Sequence, residues 1–385
     1  MFSTRTNWNL APNRLSEALA RHRAGDKPLI DLTASNPTEC RFQYDREAIL
    51  QALHNPAALS YHPDPKGLAS ARRAVVSYYR EHEIEVPLES IILTTSTSEA
   101  YSFIFRTLCN PGEELLIPAP SYPLFDFLAE IQDVKLVPYP LLYDHGWQID
   151  FHALEKAITS RTRGVIVVHP NNPTGHFTKP AELARLNAIC SAREMALIAD
   201  EVFLDFVLEG KQPASFAANR GALTFALSGL SKIAGLPQMK VAWLIATGPE
   251  QLKIHALERL EVIADTYLSL NTPVQVATAG LLDQRHTFQR QLIARVWHNL
   301  TELDRQLTLQ KSVSRLRVEG GWCAVLRVPA TRSEEDLAIE VLEGKNVYVH
   351  PGHFYNFLAD GYLVVSLITP EHEFAEGTER LLSMF

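Results

Sequence analysis

The chain has 385 residues, 46% of them hydrophobic and 21% charged, with a formal net charge of -8. That length exceeds what one hydrophobic core ordinarily supports, so two domains are expected. The acidic balance, with no block of Lys or Arg, argues against a general nucleic-acid or membrane-surface role and leaves small-molecule chemistry as the expectation.

Cys40, Cys109, Cys190 and Cys323 are far apart and form no Cys-x-x-Cys pair. Neither a disulfide framework nor a metal site is expected, and a reducing cytoplasm fits. The first ten residues contain no apolar core of signal-peptide length, and no later run approaches the roughly 20 apolar residues that cross a bilayer.

In chain order, residues 15–23 read as a short polar helix, 28–32 as a strand and 33–38 as a turn-rich loop. A helix is expected over 48–53, then a rigid loop at Tyr61-His-Pro-Asp-Pro-Lys-Gly67 leading into a helix over 68–83. From Ile91 onward short apolar runs recur at 91–93, 114–117, 134–137, 165–168, 196–199, 224–227 and 241–245, with helical stretches between most of them. Runs without polar alternation mark strands buried on both faces, and their alternation with helices predicts an α/β domain on a mostly parallel sheet. Ligands of such sheets sit outside the carboxyl ends of the strands. After Pro249 the texture changes to long amphipathic helix, over 250–263 and from 273 to about 309. The tail mixes strands at 323–328, 347–349 and 362–368 with a helix over 334–343 and a last helix with Thr369 as N-cap and Pro370 at its first position. The segment 12–36 is too short to fold alone and is expected to pack with that tail. The domain expectation is therefore a large α/β unit over 46–284 and a discontinuous α+β unit over 1–45 and 285–385.

Three polar loops stand at successive strand ends. His169-Pro-Asn-Asn-Pro-Thr-Gly175 follows the run at 165–168, Ala199-Asp-Glu201 ends the run at 196–199, and Ser228-Gly-Leu-Ser-Lys232 ends the run at 224–227. Each alone has a plain reading, respectively a turn, a helix cap or surface acid, and a loop lysine. Together, Asn172, Asp200 and Lys232 suit a cofactor that needs a partner for a phenolic oxygen, a carboxylate on a ring nitrogen and a Schiff-base amine.

With those motifs in that order, the sequence resembles class I/II aminotransferases of fold type I, which use pyridoxal 5'-phosphate, over nearly its whole length. The resemblance implies that Lys232 holds the cofactor as an internal aldimine and then shuttles a proton, that Asp200 pairs with the pyridine nitrogen, and that Asn172 bonds the phenolic oxygen. It implies a phosphate site from Ser96 and Thr97 at a helix N-terminus, with Ser231 and with Lys240 where relatives carry arginine. By the same resemblance Tyr122 stacks on the ring, and Tyr61 reaches across a homodimer interface to the neighbouring phosphate. The implied activity moves an amino group from a donor to a 2-oxo acid. The alternative keeps the cofactor but breaks another bond, as in a carbon-sulfur β-lyase, a cyclase or a decarboxylase.

Two positions depart from the family's pattern. Phe203 stands where many relatives have a tyrosine on the phenolic oxygen, and Val364 stands where an arginine usually clamps the substrate carboxylate. Ser35, Asn36 and Arg41 are candidates for the substrate side, with His350 and His353 as further polar residues near the pocket.

Overall fold

A computed structural model describes all 385 residues. Fourteen strands run in chain order as β1 (Ile30–Asp31), β2 (Ile91–Thr94), β3 (Glu114–Ala119), β4 (Lys135–Tyr143), β5 (Trp147–Ile149), β6 (Thr162–Val168) and β7 (Ala196–Asp200). They continue as β8 (Thr224–Gly229), β9 (Ala242–Thr247), β10 (Ser314–Arg315), β11 (Cys323–Arg327), β12 (Val347–Tyr348), β13 (His350–Pro351) and β14 (Tyr362–Ser366).

The largest sheet has eight strands in the order β2-β9-β8-β7-β6-β3-β4-β5. Its centre is parallel, from β4 through β3, β6 and β7 to β8. Only β5 and β9 run against their neighbours. The fold class is thus α/β with a mostly parallel central sheet. Alternate residues of the middle strands enter opposite layers: Val165, Val167, Leu197 and Ala199 join one buried cluster, while Ile166, Val168, Ala196 and Ile198 join another. The two-residue period of a strand, apolar at every position, requires cover on both faces, and helices supply it.

A second, four-stranded antiparallel sheet, β10-β11-β14-β13, is built from the tail and shares a separate cluster with helices Arg285–Leu307, Glu334–Lys345 and Glu371–Leu382. The N-terminal segment joins it. Helix Arg14–Ala24 lies against helix Glu334–Lys345, and β1 pairs in parallel with β12.

Local expectations shift at three places. The apolar run from Val241 forms β9, which is antiparallel to β8, so its first residues arrive at the edge where β8 ends. The helix expected from 273 to about 309 is two, Thr272–Asp283 and Arg285–Leu307, broken where Arg285 turns its guanidinium back onto the Leu282 carbonyl. The last helix starts at Glu371 with Pro370 as its cap; Thr369 instead donates its hydroxyl to the Asp31 carbonyl. No helix is long and apolar enough to cross a membrane.

Candidate active site

β2, β6, β7 and β8 end at one edge of the large sheet, and the loops that leave them enclose a cavity of about 420 Å³. Lys232 lies in the short helix Leu230–Ile233 immediately after β8, Asp200 is the last residue of β7, and Asn172 follows β6; all three line the cavity. Ser96, Thr97, Tyr122, Ser231, Lys240 and Ser35 line it too, as do Phe203 and Val364.

Asp200 is buried, and two donors hold its carboxylate: the Val202 backbone N–H at 3.2 Å on Oδ1 and the Tyr101 hydroxyl at 3.2 Å on Oδ2. Burial nonetheless dominates and raises its pKa to about 6, outweighing the two hydrogen bonds and the nearby Lys232 amine, all of which favour the charged form. Burial also lowers the pKa of Lys232, with the Cys323 thiol and Asp200 pulling weakly the other way. Its Nζ lies 4.8 Å from the centre of the Trp322 ring and 5.8 Å from that of Phe203. An amine in this setting is shifted toward the neutral, nucleophilic form. The Asn172 amide contributes a buried Oδ1 with no partner in the chain, which leaves it for a ligand.

The loop after β2 forms an anion cradle. Ser96 caps helix Thr97–Leu108 by accepting from the Glu99 N–H at 3.2 Å. The N–H groups of Thr97 and Ser98, in the first turn, have no intrahelical acceptor and face the positive end of the helix dipole. Because β9 is antiparallel, Lys240 just ahead of it comes to the same edge, in a left-handed conformation with φ 53°. The set fits pyridoxal 5'-phosphate: a nucleophilic amine, a carboxylate that can hold a ring-nitrogen proton, an unsatisfied amide and a cationic phosphate cradle around one cavity.

Other candidates lie elsewhere. Asn36 is turned into its own loop, where its Oδ1 accepts from Thr38 N and Oγ1 at 3.2 and 2.8 Å, and Arg41 is an exposed residue paired with Glu373 at 2.5 Å. Neither lines the cavity, so the expectation that both border the substrate is corrected. Tyr61 is exposed on the single chain, away from the cavity, at the expected proline-rich loop. His353 sits beside Glu334 at 3.6 Å, whereas His350 does line the cavity.

Sequence reasoning missed Tyr101, Trp322 and Tyr355. Tyr101 stands one helical turn after Thr97, a spacing that puts both on one face, and this was the available signal. Trp322 follows Gly320-Gly321, which reads as a turn. There the loop after β6 meets the turn ahead of β11: a Cβ on Gly175, at φ 72°, would lie 2.7 Å from the Gly320 carbonyl oxygen.

Comparisons with known proteins agree with this geometry. The family model described as aminotransferase class I and II matches residues 27–381. A glutamate-pyruvate aminotransferase, AlaA, of Escherichia coli K12 is 29% identical over 265 residues, 68% of this chain and 65% of that protein, so the chain matches less than two thirds of that relative's length. An alanine aminotransferase of Mycobacterium bovis is 28% identical over 94% of this chain and 86% of its own length. Among solved structures, an alanine aminotransferase from Pyrococcus furiosus superposes with a TM-score of 0.88 at 23% identity, covering 100% of this chain and 99% of that one, which establishes the fold.

Proposed function

The chain belongs to the class I and II aminotransferase family, and from that membership we propose that it is a pyridoxal 5'-phosphate-dependent aminotransferase moving an amino group from an amino donor to a 2-oxo acid. The observation that carries this reading is the convergence of Lys232, Asp200 and Asn172 on one cavity from three neighbouring strand ends.

When bound, the cofactor supplies a protonated pyridine ring that withdraws electrons from the substrate's α-carbon. Every other task belongs to the chain. Lys232, whose amine burial shifts toward the neutral form, is the nucleophile that anchors the cofactor and the base that moves the α-proton. Asp200 holds the proton on the ring nitrogen, and the Tyr101 hydroxyl keeps the carboxylate aimed. Asn172 holds the phenolic oxygen alone, since Phe203 offers no hydroxyl. Ser96, Thr97, Ser231 and Lys240 bind the phosphate, and Tyr122 covers the ring face. Ser35 lies on the substrate side of the cavity.

The division into units 46–284 and 1–45 with 285–385 is part of the same reading, supported by the separate buried cluster of the small unit. So is a homodimer, for which the exposed Tyr61, together with exposed Leu59 two residues ahead of it, offers a contact surface. Four free cysteines accord with a reducing cytoplasm.

The test is spectroscopic. Purified protein loaded with the cofactor is mixed with single amino acids and no acceptor; conversion of the absorbance to that of the amine form, with release of the matching 2-oxo acid, is expected. Pyruvate and ammonia released catalytically, with the original absorbance retained, would overturn the aminotransferase reading in favour of a lyase.

A further inference from the structure

β13 and β14 are antiparallel neighbours in which His350 stands directly opposite Val364. Directly opposed residues project from the same face of a sheet, and both line the cavity. The position where an arginine is expected is thus an isopropyl group with an imidazole beside it, one strand over. No arginine lines the cavity; its lysines are Lys232, the nucleophile, and Lys240 at the phosphate cradle.

The imidazole is fixed from one side only. His350 Nδ1 lies 3.1 Å from the Tyr355 hydroxyl, while Nε2 has no partner in the chain. Tyr355 is itself buried in the same wall, so the pair is not a mobile surface contact. With the Tyr355 hydroxyl as donor to Nδ1, the ring carries its proton on Nε2, the nitrogen without a partner; the opposite tautomer would make Tyr355 the acceptor. Burial lowers the pKa of His350, in accord with a neutral ring presenting that one N–H. Trp322, Phe354, Tyr122 and Val364 give the surroundings aromatic and aliphatic surface, and the hydroxyls of Thr33, Ser35 and Ser366 are uncharged polar groups of the lining. A substrate carboxylate at this wall can receive a hydrogen bond, and a second carboxylate on its side chain would find no further cation of the same chain in the lining.

We infer that His350, positioned by Tyr355, is the residue that binds the substrate carboxylate beside Val364, and that the substrates are amino acids with uncharged side chains. The inference rests on the aminotransferase reading for its substrate class, but the carboxylate site itself is testable without turnover.

Wild type, His350→Phe, His350→Gln and Tyr355→Phe are loaded with cofactor, and dissociation constants for L-alanine, L-phenylalanine and L-aspartate are taken from the change in cofactor absorbance. Propanoate, which has a carboxylate and no amine, is titrated separately by thermal shift. A lost hydrogen bond to a charged group predicts about 10- to 100-fold weaker binding of alanine and phenylalanine by His350→Phe. Its cofactor spectrum should be unchanged, and propanoate should no longer protect it. His350→Gln, which retains a donor, should bind within about 5-fold of wild type, and Tyr355→Phe should bind roughly 3- to 10-fold more weakly. Wild type should bind aspartate at least about 10-fold more weakly than alanine.

Unchanged binding in His350→Phe, or aspartate bound as tightly as alanine by wild type, overturns the inference. Should His350→Phe not fold, unchanged binding in Tyr355→Phe overturns it instead. If no amino acid alters the wild-type spectrum, the aminotransferase reading falls, while propanoate still decides the carboxylate site.

Discussion

Tyr101 donates its hydroxyl to Asp200 Oδ2 at 3.2 Å, joining the helix that opens the anion cradle to the carboxylate at the end of β7. Both groups are buried, and the bond favours the ionised carboxylate against a burial that disfavours it. Removing it in Tyr101→Phe is expected to weaken cofactor retention about 3- to 10-fold, the effect of one buried hydrogen bond. Equilibrium dialysis of the loaded protein measures this, and retention equal to wild type would show that the bond does not orient Asp200.

Asp200 also makes a pH-dependent contribution to the stability of the cofactor-free chain. Its folded pKa of about 6 lies above the ordinary aspartate value of 3.8, so the native state binds the proton more tightly than the unfolded chain does. Stability from this group is therefore greatest below about pH 4 and falls as pH rises to about 6, a loss on the order of 2–3 kcal/mol. Asp200→Asn should accordingly raise the denaturation midpoint of the cofactor-free protein above pH 6 and give little or no gain near pH 4. A gain of equal size at both pH values would contradict the assignment.

Lys232→Ala should retain cofactor through the phosphate cradle yet lose the absorbance of a lysine-bound cofactor. Activity is expected to drop on the order of 10⁴-fold or more, because nucleophile and proton carrier are removed together. A spectrum combined with a single-turnover assay decides this, and normal turnover in the variant would refute the mechanism.

Lys240 supplies charge to the cradle without the planar fork of an arginine. Lys240→Ala should weaken cofactor binding by about 10- to 100-fold, and Lys240→Arg should bind at least as well as wild type. Cofactor titration followed by absorbance reads both, and an alanine variant with unchanged affinity would remove Lys240 from the phosphate site.

Gly175→Ala tests the contact between the loop after β6 and the small unit. The added methyl would sit 2.7 Å from the Gly320 carbonyl on a backbone with φ 72°. Clash and strain together are expected to cost about 2 kcal/mol or more in denaturant unfolding. An unaltered midpoint would mean that the two loops part freely.

The central strands and the polar loops were legible because most strands of the large sheet are short apolar runs buried on both faces, whereas β5, three residues with an exposed Gln148 between Trp147 and Ile149, carries no such signature. Direction is not written in such a run. The run at 241–245 has the same apolar character whichever way it points, so only pairing with β8 and β2 reveals that β9 is antiparallel. Asn36 and Arg41 failed for another reason. Nearness in sequence to Ser35 does not fix where a side chain goes, and Arg41 is drawn to Glu373, 332 residues away. The interruption at Gln284 has no glycine or proline to announce it, because a tertiary contact of Arg285 with Glu81 accompanies it. Tyr101 went unread and His350 was read only as a polar residue near the pocket, since their partners Asp200 and Tyr355 are chosen by packing.

The pairing of β1 with β12, and the packing of helix Arg14–Ala24 on helix Glu334–Lys345, set an order of assembly. Residues 14–36 leave the ribosome first but have no surface to cover them until residues 334–382 have been made, whereas strands β2 to β9 can pair as soon as Thr247 emerges. Early translation therefore leaves the few core residues of the N-terminal segment, among them Leu15, Ala18 and Leu32, uncovered beside an already forming sheet, and Ser366, whose hydroxyl bonds the Ala34 carbonyl, is among the last contacts to close the cavity wall.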